Sequence, residues 1–109
     1  MENHSSVNPL INIEKQAAAL VYFYSNKCAP CISLRPKITE LIKEHFPKMK
    51  LIFIESEKVP ELCAQYQIFA SPTLLLYFDG KETKRFSKYI STTELAQYID
   101  RYYNLIFEE

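Results

Sequence analysis

Ala19-Leu20-Val21-Tyr22-Phe23-Tyr24-Ser25-Asn26-Lys27-Cys28-Ala29-Pro30-Cys31 is the stretch that decides how this chain folds. Residues Ala19 to Tyr24 are apolar or aromatic at every position, a run of strand length with no polar face. A strand with one wet side alternates, whereas one apolar throughout is covered on both faces, as in the middle of an α/β sheet. The run ends at Ser25-Asn26-Lys27. From about Cys28 to His45, Ile38, Leu41, Ile42 and His45 or Phe46 recur at helical spacing. Pro47 stops that helix. Cys28 and Cys31 therefore fall where a buried strand hands over to a helix.

Upstream, Asn8-Pro9 reads as the start of a short helix running to about Lys15 or Gln16, with Pro9 at its first position. Downstream, Leu51-Ile52-Phe53-Ile54 reads as a second buried strand. Pro60 to Tyr66 reads as a short helix opened by proline. After Ser71-Pro72 comes a third strand, Thr73 to Phe78. Asp79-Gly80 is a turn of type I′ character leading to a charged edge strand, about Glu82 to Phe86. Ser91-Thr92-Thr93-Glu94 is a capping box that opens a last helix with Leu95, Tyr98, Ile99, Tyr102 and Ile106 on one face. The order α-β-α-β-α-β-β-α describes a sheet between helical layers with one antiparallel hairpin. Residues 1–109 are expected to form a single domain, with 1–7 as a flexible N-terminal segment.

Composition removes whole classes of function. Thirteen basic residues balance thirteen acidic ones, so no net basic field attracts phosphate, and nucleic acid is not an expected partner. The only glycine is Gly80, which excludes a glycine-rich nucleotide loop. The apolar fraction of 48%, with seven Phe and eight Tyr, supplies a core. No apolar window is long enough to span a membrane, and the polar start Met1 to Ser6 is unlike a secretory signal. Three Cys cannot all pair within the chain. The expected compartment is cytoplasmic, with thiols reduced or cycling.

Two Cys three residues apart at a helix start lie on one side, close enough for a disulfide to form and open with little movement. Cys28 sits where the first-turn amides are unpaired and the helix dipole is positive, so its thiol is expected to titrate below the free value of about 8.5. Pro30 suits the first turn, where its missing N–H costs nothing. Taken alone, the spacing admits a redox dithiol, half of a zinc site or a small structural disulfide. A closed zinc site would need two further ligands from Cys63, His45 and His4. His45 lies roughly 20 Å along the helix from Cys31, so no metal is expected. A structural disulfide would close a very small loop in a reducing compartment.

The chain resembles the thioredoxin family from about Ile11 onward. The resemblance rests on Cys28-Ala29-Pro30-Cys31, on Pro36 five residues after Cys31, and on Ser71-Pro72-Thr73-Leu74, similar to the family's cis-proline loop. It implies a three-layer α/β fold whose central mixed sheet has about four strands, flanked by helices. It also implies a thiol–disulfide oxidoreductase acting on protein disulfides. Cys28 would be the nucleophile and Cys31 the resolving thiol of a redox-active pair, with Lys27, Ala29, Pro30, Ser71 and Pro72 at the substrate groove. Neither metal nor organic cofactor is implied. The expected partners are disulfide-containing proteins and a thioredoxin reductase or small-thiol reductant, with the chain a monomer and no membrane involved. Several residues depart from the family pattern. Lys27 replaces Trp, Ala29 replaces Gly, Tyr22 replaces a buried acid, Phe53 replaces the acid's Lys partner, and Lys88 replaces a docking-surface Gly. The strand that precedes the first helix in the family is short or missing here.

The alternative to an enzyme is a thioredoxin-like protein-binding module with a vestigial or regulatory CxxC. Among other residues, Cys63 reads as a buried small hydrophobe and His45 as a cation suited to a helix C-terminus. Tyr77, Phe78 and Phe86 read as sheet packing. Lys27 and Lys88 read either as solvated surface residues or as charge that lowers the Cys28 pKa and favours acidic partners.

Overall fold

The computed structural model describes Leu10 and residues 12–107; the helix start read at Asn8-Pro9 and the segment 1–7 lie outside the described residues. The first described element is a single 3-10 turn, Ile13–Lys15. Strand β1 (Ala18–Tyr24) leads to helix α1 (Ala29–His45), and strand β2 (Lys50–Glu55) to a 3-10 turn and helix α2 (Pro60–Gln65). Strands β3 (Thr73–Phe78) and β4 (Lys81–Ser87) form a hairpin, and helix α3 (Thr92–Ile106) closes the chain. Among the described residues no strand precedes β1.

The four strands form one mixed sheet in the order β2-β1-β3-β4, with β1 parallel to β2 and antiparallel to β3. The central position of β1 explains its composition, since Ala18 to Phe23 are all buried. Successive side chains alternate between faces. Ala18, Leu20 and Tyr22 pack with Ile38, Ile42, Leu95 and Ile99 from α1 and α3. Ala19, Val21 and Phe23 pack with Leu62, Cys63, Ile68 and Ile13 on the other face. Each fully buried Leu or Phe contributes roughly 1.5–3 kcal/mol, so a strand with two apolar faces anchors both layers at once.

The edges behave differently from the middle. β4 is a charged edge as its sequence indicates, but β2 is the opposite edge and not a doubly covered strand. Only Ile54 of its apolar run is buried; Leu51, Ile52 and Phe53 are half-exposed. A parallel strand paired on one side only has part of its faces beyond the reach of the flanking helices. Ile106, read as part of the packed stripe of α3, is 36% exposed, whereas Leu95 and Ile99 are fully buried. Tyr77 and Phe78 do not share a cluster, because adjacent strand residues face opposite layers.

Local chemistry sets the boundaries. Asp79 and Gly80 both have positive φ, +58° and +80°, as the primed hairpin turn requires. At Gly80 a Cβ would also meet the Glu14 carbonyl oxygen at 2.5 Å, so glycine lets the N-terminal turn pack on the hairpin tip. Ser91 caps α3, its hydroxyl accepting the Glu94 N–H at 3.2 Å.

Tyr77 gives the sheet an alkaline limit. Burial, then the Glu82 carboxylate opposite it in β4, push the phenol up to about 12 from an ordinary 10.0. Between those values the folded chain holds a proton that the unfolded chain has lost, so stability falls as pH rises through this window. Urea midpoints measured from pH 9 upward are expected to decline more steeply for the wild type than for Tyr77→Phe. Parallel declines would remove Tyr77 from the account.

Candidate redox site

The end of β1 and the start of α1 are joined by a stitched loop. The Ser25 hydroxyl accepts the Lys27 N–H at 3.1 Å and donates to Glu57 at 3.0 Å. Asn26 donates to Glu55 at 2.7 Å, and the Cys28 N–H reaches the Ser25 carbonyl at 3.1 Å. Carboxylates from the end of β2 thus hold the loop that delivers Cys28. Neither Glu55 nor Glu57 carries a sequence signal for this role, because the partners lie about thirty residues away across a parallel pair.

Cys28 is the N-cap of α1, extended at φ −103° and ψ 108°, with Pro in the first turn behind it. Its sulfur accepts the Cys31 N–H at 3.2 Å, so a first-turn amide without a helical partner is aimed at the thiol. Cys28 and Cys31 are disulfide-bonded, their Cα atoms 5.2 Å apart. Cys28 is half-exposed, whereas Cys31 is only 1% exposed. Lys27, Ala29 and Pro30 are exposed around the pair.

The opposite wall is the segment before β3. The Ser71–Pro72 peptide bond is cis, and the Ser71 carbonyl oxygen lies 3.6 Å from Cys28 Sγ. Thr73 donates its hydroxyl to the Ala70 carbonyl at 2.7 Å, and the Lys88 N–H donates to the Pro72 carbonyl at 2.9 Å. Lys88 makes that bond at φ +66°, in the left-handed region. A non-glycine residue there costs roughly 1–2 kcal/mol. The fold therefore brings Cys28, Cys31, Ser71 and Pro72 together, with Ala29 and Pro30 at the rim.

The contacts made by Tyr22, Arg35 and Arg85 carry no signal in the sequence. Tyr22 is fully buried beneath the pair, and its hydroxyl donates to the Cys31 carbonyl at 2.7 Å. Burial pushes this phenol up, partly opposed by Arg35. Phe53 lies opposite in register with its ring 5.5 Å away, and the Arg35 guanidinium covers the Phe53 and Tyr24 rings at 4.3 and 4.8 Å. Arg85 acts at longer range. It grips Glu82 through two bonds of 2.7 and 2.9 Å, and donates to the Tyr66 and Gln67 carbonyls at 3.0 Å. That ties the end of α2, and hence the segment running to Pro72, to β4.

Cys63 is buried on the other face of the sheet, its sulfur 3.7 Å from the Ser56 carbonyl. His45 is exposed at the far end of α1. Among the described residues no three His, Cys, Asp or Glu side chains converge as a metal site would need.

A dithiol at a strand-to-helix turn, one sulfur accessible and one covered, is the working part of thiol–disulfide oxidoreductases built on a mixed α/β sheet. Comparison with known proteins narrows the class. The thioredoxin family model matches residues 4–101. Thioredoxin-like protein YdfQ of Bacillus subtilis is 27% identical over 109 residues, covering 96% of each chain. Chloroplastic thioredoxin M5 of Oryza sativa subsp. japonica is 32% identical over 87 residues, which is 80% of this chain but 51% of that one. This chain thus spans about half the length of the chloroplast relative. The X-ray structure of Fasciola hepatica thioredoxin superposes with a TM-score of 0.74 at 34% identity, covering 85% of this chain and 88% of that one. The chain belongs to the thioredoxin family.

Arg85→Lys keeps the charge but not the planar fork. It is expected to cost on the order of 1–3 kcal/mol, because the Tyr66 and Gln67 carbonyls lose their donor. Urea unfolding checks this; an unchanged midpoint would mean the clamp carries no weight.

Proposed function

We propose that this chain works as a reductase, passing an electron pair from the Cys28/Cys31 dithiol to disulfides of protein substrates. The observation that carries the reading is the asymmetry of the pair. Cys28 is reachable and receives a backbone N–H, whereas Cys31 is covered. A charge-assisted bond of this kind contributes roughly 1.5–3 kcal/mol to the thiolate.

The Cys28 thiolate attacks one sulfur of a substrate disulfide. A Cys28–substrate disulfide forms, the substrate bond breaks, and one substrate thiolate leaves with a proton from solvent. Cys31, deprotonated, then attacks Cys28 Sγ. The Cys28–Cys31 bond forms, the second substrate thiolate departs and is protonated, and the protein is left oxidised by two electrons. Lys27, Ala29, Pro30, Ser71 and Pro72 form the groove. The Ser71 backbone lines up with an extended substrate segment, and Pro72, being cis, presents that carbonyl beside Cys28 without an N–H of its own. Exposed Phe69 and Tyr89, 86% and 97% accessible, flank this loop and suit a protein partner. Electrons return from a thioredoxin reductase or a small thiol. The chain acts as a monomer in a reducing, cytoplasmic compartment, in keeping with the unpaired Cys63 thiol. The docking-module alternative is not favoured, because the accessible sulfur still receives an aimed first-turn N–H while its partner is covered.

Insulin reduction driven by dithiothreitol tests the roles. Cys28→Ser is expected to abolish turnover. Cys31→Ser is expected to stall as a covalent mixed disulfide visible by mass spectrometry, and Cys63→Ala to stay within about twofold of wild type. Turnover by Cys28→Ser at the wild-type rate would refute the assignment.

A further inference from the structure

We propose that Tyr22 is a positioning residue for the resolving thiol: its hydroxyl fixes the first turn of α1 through the Cys31 carbonyl, and Cys31 must lose its proton to solvent because, among the described residues, no carboxylate or imidazole faces it. The proposal rests on the reductase reading and concerns its second step alone.

Consider each element packed around the covered cysteine. From β1, Tyr22 lies beneath α1 with its hydroxyl proton directed at the Cys31 carbonyl at 2.7 Å. A hydroxyl bonded in this way is a donor at that point, and a phenol wholly buried among apolar groups stays neutral through the physiological range. Tyr24, next on the same side of β1, has its ring 6.2 Å from that of Tyr22. From α1 comes Arg35, a cation that sits over the Tyr24 and Phe53 rings and cannot accept a proton. β2 places Phe53 opposite Tyr22, and β3 places Leu74 there, neither of them ionisable. The carboxylates at the end of β2 are engaged elsewhere. Glu55 accepts from Asn26 and pairs with Lys58 at 3.5 Å, and Glu57 accepts from Ser25. The described residues beneath the dithiol therefore form an aromatic box capped by a cation, in which the Tyr22 hydroxyl is the group bonded to α1.

Two consequences follow for the second exchange. Attack on Cys28 requires the Cys31 thiolate, whose proton passes to water or hydroxide, so its population rises tenfold per pH unit below the thiol's own titration. The attack also requires Cys31 to stay in register with Cys28, and the Tyr22 bond, one residue's carbonyl away from the reacting sulfur, holds that turn. The first exchange uses Cys28, which lies outside the box and does not need Tyr22.

The aromatic disulfide 5,5′-dithiobis(2-nitrobenzoate) separates the steps. Attack by Cys28 releases one coloured thiolate and leaves the other as a mixed disulfide; attack by Cys31 releases the second. Stopped-flow traces of the reduced wild-type chain from pH 6 to 8 are expected to show a second phase that accelerates close to tenfold per pH unit. In Tyr22→Phe the second phase is expected to slow about three- to tenfold at every pH with the same slope, while the first phase keeps its rate. A pH-independent second phase in the wild type would overturn the proposal by revealing a base. So would a second phase in Tyr22→Phe equal to wild type, which would leave the hydroxyl without a role. The wild-type profile decides the matter of the base even if Tyr22→Phe folds poorly. Failure of Cys28 to form any mixed disulfide would remove the reductase reading and this proposal with it, an outcome distinct from normal formation followed by pH-independent resolution.

Discussion

The Cys31 amide that donates to the Cys28 sulfur is the interaction on which the rest of the site depends. It exists because a helix must begin where β1 ends, and a helix start leaves N–H groups without carbonyl partners. An ordinary N-cap would satisfy them with a Ser, Thr, Asn or Asp oxygen. Here a thiol takes that place, so the need of the helix for an acceptor becomes the stabilisation of a thiolate. For the arrangement to hold, β1 must be immobile. Its burial between two layers, from Ala18 to Phe23, provides that.

Much of this was legible from local signals. An apolar run without alternation identified the central strand, and Pro, Gly and the capping box placed most boundaries within a residue or two. The Cys28-to-Cys31 spacing at a strand-to-helix junction pointed to the chemistry. What stayed hidden depends on contacts between distant segments. Leu51 to Phe53 look as apolar as β1, yet strand order alone puts them on an edge. The Glu55 and Glu57 bonds to the loop before Cys28 arise from parallel pairing. Arg85 reads as one more charge on a charged strand, while in space it holds two carbonyls at the end of α2. Tyr22 stands out in the sequence only as a departure from the family pattern; its bond to Cys31 is set by the crossing of α1 over β1.

The departures form a coherent set once they are placed together. Tyr22 and Phe53 are register partners, so exchanging a polar pair for two rings alters one locus, not two. Arg35 lies across the exposed side of that locus as a lid. Lys88 keeps the positive φ that a glycine would adopt without strain, and its N–H still reaches the Pro72 carbonyl. The backbone frame of the redox site is thus maintained while the polarity beneath it changes. In chemical terms Cys28 keeps its backbone donor, while the side chain bonded to Cys31 is a phenol that donates to its carbonyl.

If the site works as proposed, Cys28 and Cys31 form a reversible two-electron couple poised for reduction. Equilibrating the protein against dithiothreitol buffers, then counting alkylated thiols by mass spectrometry, measures it directly. A single two-electron transition involving Cys28 and Cys31 together is expected near the value of about −270 mV typical of thioredoxin, with Cys63 taking no part. A pair that stays in one state across the whole range would contradict it. A transition near about −120 mV, typical of a strong oxidant, would contradict the direction of flow and the reducing compartment with it.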